Sequence, residues 1–255
     1  MFDIKDLSRV MFNLLFAVAQ FFTPFVSVIT GIGESIAERA NPGITPPEMP
    51  AAYAFSIWFV IFALSIIYAL HQAFPSQVEN KLYKKIGYYS AGLFLASNLW
   101  MAIEQLQGDR WYLVVIIFAM LFFALKSFFI VFNEGKPSSF KSYILMPLFG
   151  LFSGWLSIAV FLNLTSFLRE KFSFISTLSP TFYALFTIIP ASILAFIVIF
   201  KTKGNLWYSG AISWGLLAII ISNLSLVHNA FITALAAGLI LLVFIVVGYI
   251  KKSNL

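Results

Sequence analysis

The sequence predicts an all-α, polytopic membrane protein of about eight transmembrane helices, and three observations carry that prediction. The 255 residues are 61% hydrophobic and only 10% charged, against about 25% charged in soluble domains. Runs such as 111–132, broken only by Lys126 and Ser127, reach the ~20 apolar residues that cross a bilayer as helix. The alternating pattern of an outer-membrane barrel is missing, and in lipid an open strand edge has no hydrogen-bond partner, so the spans are helical.

Hydropathy and breakers place the spans at roughly 10–31, 51–73, 86–106, 111–132, 143–168, 181–200, 206–226 and 230–250. The first is too long for a signal-peptide core and no small-x-small cleavage site follows it, so it is expected to stay. The second follows a loop with four prolines (Pro42, Pro46, Pro47 and Pro50) and three glutamates, Glu34, Glu38 and Glu48. Aromatic anchors open the third (Tyr83, Tyr88, Tyr89), the fourth (Trp111) and the seventh (Trp207, Tyr208). Pro24, Pro147 and Pro190 mark candidate kinks. The texture changes at Ser179 and Pro180, after which no acidic residue follows.

With the N-terminus inside, twelve basic residues fall on the inner side, from Lys5 and Arg9 to Lys251 and Lys252. Arg39, Arg110, Arg169 and Lys171 fall outside. That split predicts cytoplasmic termini in a multi-pass protein of the cell membrane. The net charge of +6 therefore reads as topology, and no nucleic-acid partner is expected; the bilayer is the partner.

Catalytic chemistry is scarce. There is no cysteine, which removes disulfides and thiolate sites. His71 and His228 fall at opposite membrane faces and cannot share a metal. No phosphate loop or His-Glu zinc spacing occurs. Lys126 is close enough to a span end to snorkel, and Glu104, near the outer end of the third span, reads either as a polar helix end or as a pocket carboxylate.

Amphipathic aromatics and amides concentrate in the outer half: Tyr53, Phe55 and Trp58 on the second span, Asn98 and Trp100 on the third, and Trp155, Ala159 and Asn163 on the fifth. Such residues either pack helices or line a cavity for a planar apolar ligand.

In order, "TPPEMPAAYAFSIWFVIFAL", "SNLW" and "WLSIAVFLN" resemble the tryptophan-rich sensory proteins, the TspO family, which also contains the mitochondrial translocator protein or peripheral benzodiazepine receptor. The spacing from Trp155 through Ala159 and Leu162 to Asn163 is the family's. Departures are Tyr53 where Trp is usual, one residue rather than two between Asn98 and Trp100, and Leu151-Phe152 in place of Pro-Tyr. The resemblance covers about 10–170. It implies a five-helix bundle at residues 1–175, with 176–255 as three additional helices that it leaves without a role.

The resemblance further implies a ligand such as protoporphyrin, haem or a sterol-like lipid, with no cofactor required. Aromatic walls would come from Tyr53, Phe55, Trp58, Trp100 and Trp155, and polar contacts from Asn98, Asn163 and Glu104. A lid would be held by Pro46, Pro47 and Pro50. Family members often form homodimers, although the small-residue spacing at Ala234 to Gly238 assigns no interface. Sensor and carrier roles both fit, a secondary transporter of a small hydrophobic or amphipathic solute is the alternative, and porphyrin degradation rests on family analogy alone.

Overall fold

A computed structural model describes residues 2–35, 38, 46–107, 111–135, 138–172, 179–224 and 230–253. His228, Arg39, Arg110 and Pro42 lie outside them. All regular structure among the described residues is helical. The eight long helices are α1 (Ile4–Phe22), α2 (Ile57–Ala73), α3 (Tyr89–Gln107), α4 (Trp111–Asn133), α5 (Met146–Lys171), α6 (Pro180–Lys201), α7 (Leu206–Asn223) and α8 (Ala230–Ser253).

Their ends follow local chemistry. Asp3 caps α1 by accepting from Lys5 N, Ser179 caps α6 by accepting from Phe182 N, and Asn205 caps α7 by accepting from Trp207 N and Tyr208 N. The prolines divide by position. Pro24 lies in a 3-10 turn (Thr23–Phe25) that separates α1 from a short helix, Val26–Thr30. Pro147 stands in the first turn of α5, behind a π turn at Lys141–Leu145 that absorbs its missing N–H. Pro190 sits inside a continuous α6.

Seven helical segments are long and apolar enough to span. The eighth long helix, α3, is diluted by Ser90, Ser97, Asn98 and Gln105, all turned inward. Lipid penalises polar groups on the outer face of a helix, so α3 turns them into the bundle, Ser90 onto the Tyr68 hydroxyl of α2 and Asn98 and Gln105 onto the Phe16 and Thr23 carbonyls.

Helix α5 is the centre of the bundle and touches α2, α4, α6 and α7. Its most apolar window is 78% buried, against 22% for the segments containing α1 and α8. Small residues allow the tight α5–α7 contact. A methyl group on Gly150 would come within 2.8 Å of Trp207 Cβ, one on Gly154 within 2.6 Å of the Tyr208 carbonyl, and one on Gly215 within 2.6 Å of Ile158 Cδ1. This is close backbone approach through small-xxx-small spacing, and it lies within the chain. Gly238, by contrast, faces open space. Tyr208 is fully buried, its hydroxyl 2.8 Å from Ser157 Oγ and its ring stacked on Phe128. It is therefore a packing residue and not the interfacial anchor its position suggested.

The end of the bundle away from the proline loop, here the basic end, is held by ion pairs. Lys84 pairs with Asp6 at 2.7 Å and Lys85 with Glu134 at 2.8 Å. The hydrogen bond to Asp6 holds the Lys84 ammonium above the ordinary lysine range. Lys126 is exposed over the Phe122 ring, 5.7 Å from its centroid.

Candidate ligand site

The second span opens with a 3-10 turn, Ala52–Ser56, before α2 begins. That turn points Phe55 and Trp58 toward α5. Trp58 lies stacked against Trp100 at 6.5 Å and meets Trp155 edge-on at 6.4 Å and Phe152 edge-on at 5.6 Å. Phe55 closes on Trp155 at 5.6 Å, also edge-on. Offset and edge-to-face contacts at these distances are favourable beyond their area. The result is an aromatic cage between α2, α3 and α5 whose three indoles are only 2 to 6% exposed.

The polar groups of the cage are few. Trp100 Nε1 donates to Asn163 Oδ1 at 2.9 Å, and Asn163 Nδ2 donates to the Ala159 carbonyl one turn earlier at 3.0 Å. Trp58 Nε1 is buried with no hydrogen-bond partner. Indole N–H groups in apolar surroundings normally find one.

Three of the expected residues stand elsewhere. Asn98 faces α1: its amide donates to the Phe16 and Phe94 carbonyls at 2.8 and 2.9 Å, and its oxygen accepts from Thr23 at 3.1 Å. Helix geometry explains this. Two residues correspond to about 200° of rotation, so Asn98 and Trp100 point to opposite sides, whereas the family's longer spacing would bring them onto one. Tyr53 is 40% exposed and packs edge-on against Trp214 of α7 at 5.3 Å. Glu104 is half-buried toward the lid end of α3.

Above the cage, Pro47 and Pro50 are buried and Pro46 half-buried, with Met49 N closing a turn on the Pro46 carbonyl at 3.0 Å. What seats this lid is α7. Asn223 Nδ2 donates to the Pro47 carbonyl at 2.8 Å, Ala51 N donates to the Ala218 carbonyl at 3.0 Å, and Trp214 Nε1 donates to the Ala54 carbonyl at 3.0 Å. Buried Glu48 pairs with Arg169 at the end of α5, and the Arg169 guanidinium lies 4.2 Å from the Tyr183 ring centroid of α6. The helices left without a role by the sequence thus supply the lid's supports. Trp214 and Asn223, which carry side-chain N–H donors within the span, are the sequence signal for this.

Two other features bear on chemistry. His71 is half-buried, with Nδ1 2.6 Å from the Tyr83 hydroxyl and its ring stacked 3.6 Å from Phe140. Among the described residues no three His, Asp or Glu side chains come together to hold a metal. A groove of about 770 Å³, lined by residues including Phe12, Phe16, Tyr88, Gly92 and Phe123, lies between α1, α3 and α4. It is nearly wholly apolar and lies outside the cage.

Neither the curated proteins nor the solved structures gave a match to this chain. The family model described as TSPO-like protein matches residues 10–248, well past residue 170 and through α6, α7 and most of α8. With nearly all of its length inside that match, the chain belongs to the TSPO-like protein family.

Proposed function

We propose that this TSPO-like membrane protein binds a planar hydrophobic ligand, a tetrapyrrole such as protoporphyrin or haem or a sterol-like lipid, in the aromatic cage beneath the proline lid, as a sensor or carrier. The observation that carries the reading is the buried, unpartnered indole N–H of Trp58 among three tryptophan rings. Flat aromatic faces suit a flat apolar ligand, and a ligand acceptor facing Trp58 Nε1 removes the cost of burying that donor unpaired. Phe55, Trp100 and Trp155 form the walls, while Ala159 and Asn163 hold the Trp100 indole in place. Admission requires the rings to separate, so the lid ties to α7 regulate access. Asn98, Tyr53 and Glu104 act around the site: Asn98 ties α1 to α3, and Tyr53 braces the lid turn against Trp214.

The basic end is read as cytoplasmic, following the distribution of Lys and Arg. In this reading α6 to α8 form the unit that anchors the lid.

The test is a titration of the purified protein with protoporphyrin IX, followed by quenching of tryptophan fluorescence. Saturable quenching is expected. Trp58→Phe, which keeps a ring and removes the donor, should weaken binding about fivefold, the worth of roughly 1 kcal/mol for one hydrogen bond. Absence of saturation, or equal affinity in Trp58→Phe, Trp100→Phe and Trp155→Phe, removes the cage as the site.

A further inference from the structure

Helix α1 is built inside out. Its exposed side carries Leu7, Met11, Leu15, Val18 and Phe22, whereas its buried side carries Asp6, Arg9, Asn13 and Gln20, and Ser27 continues that face beyond Pro24. Asp6, Asn13, Gln20 and Ser27 recur every seven residues. Seven residues are close to two helical turns, so the four line one face. That face packs on α2 and α3.

Toward the lid end the seam is closed by its own hydrogen bonds. Ser27 N and Oγ donate to Gln105 Oε1, and Gln105 Nε2 donates to the Thr23 and Met101 carbonyls. Thr23 and Asn98 are likewise paired. Below this seal the pattern changes. Arg9 donates to Gln72 Oε1 at 2.9 Å and to the Val78 carbonyl at 2.6 Å, and Asn13 Nδ2 donates to the Arg9 carbonyl at 2.9 Å. Yet Arg9 Nε, Gln72 Nε2, Asn13 Oδ1, Ser97 Oγ and both amide atoms of Gln20 are buried with no protein partner. The five residues are at most 2% exposed, and they supply both donors and acceptors. The first three of these atoms belong to side chains already bonded to one another or to the preceding turn.

Unpaired polar atoms inside a lipid-embedded bundle are costly, and a set of mixed donors and acceptors is what buried water satisfies, at about three hydrogen bonds per molecule. We propose that the seam between α1, α2 and α3 is a water-binding half-channel, with its mouth at Asp6 and Arg9 and its blind end at Gln20 and Ser97, sealed above by Gln105, Ser27, Thr23 and Asn98. The water reaches from the Arg9 level to the Gln20 level, eleven residues on, or about 16 Å of helix. That is about half of the bilayer core. Ser97 is three residues before Trp100, so the blind end lies one turn below the aromatic cage. The half-channel exists whether or not the cage takes a porphyrin.

The absence of cysteine makes the test direct. Single variants Asn13→Cys, Gln20→Cys and Ser97→Cys are placed in liposomes beside Leu15→Cys and Val18→Cys, which lie at similar depth on the lipid face. Silver ion, close to water in size, is added, and the surviving thiol is counted after denaturation. The seam thiols should be consumed at least about tenfold faster than the lipid-facing ones; equal rates overturn the proposal. A measurement on the unaltered chain covers loss of folding in a variant: water-edited solid-state NMR should transfer polarisation from water to the side-chain amides of Asn13 and Gln20. A dry signal at both overturns it equally.

Discussion

Helices α1 and α5 solve the same problem in opposite ways. Helix α5 is surrounded by four neighbours and meets α7 through Gly150 and Gly154, which leave no room for a methyl group. Its contacts are close. Helix α1 stands at the edge, gives its apolar residues to lipid and keeps Asp6, Arg9, Asn13 and Gln20 inside. In water, apolar residues mark the core. In a bilayer lipid is as apolar as leucine, so small residues and polar residues mark the interior instead.

The sharpest way to break the comparison is to remove the charge at the mouth of the polar seam. Arg9→Ala leaves Gln72 Oε1 and the Val78 carbonyl without their shared donor, while Asp6 keeps Lys84. About 3 kcal/mol of destabilisation is expected, as for two buried acceptors left unsatisfied, read as a lower melting temperature in detergent. Next, Gly154→Leu forces a side chain into the Tyr208 carbonyl and Ala211 Cβ and should cost about 2 to 3 kcal/mol by overpacking, whereas Gly238→Leu, facing open space, should leave the melting temperature nearly unchanged. A smaller effect is expected of Asn223→Ala. Loss of its hydrogen bond to Pro47 should cost about 1 kcal/mol and speed hydrogen exchange at Met49 and Ala51 while leaving α1 protected. The smallest is Val18→Ala on the lipid face, where a change within about 0.5 kcal/mol is expected.

Much of this was legible in the sequence. The span positions followed from hydropathy, because length and apolarity are local properties. The identity of the cage aromatics was also readable, since Trp58, Trp100 and Trp155 are rare, large residues at matching depth. Facing was not readable with the same ease. Asn98 and Trp100 fall at one depth but on opposite sides of α3, and only the rotation between them separates a strut from a cage wall. The polar seam is hidden because Arg9 falls just before the hydropathic start of span one, where a charge resembles a loop residue, whereas α1 begins at Ile4. The role of α7 was the least visible. Its ties to the lid join residues 160 and 176 positions apart, and no local pattern encodes such a pairing.

Those ties share one property. Asn223, Ala218 and Trp214 all hold the lid segment by its main-chain atoms, at the Pro47 carbonyl, the Ala51 N–H and the Ala54 carbonyl. A seat that grips the backbone is indifferent to the side chains displayed on it. A substitution at Met49, whose side chain takes no part in these ties or in the Glu48–Arg169 pair, can therefore change the surface of the lid without unseating it, which makes this position a place where the chemistry of the segment can vary while its closure is kept.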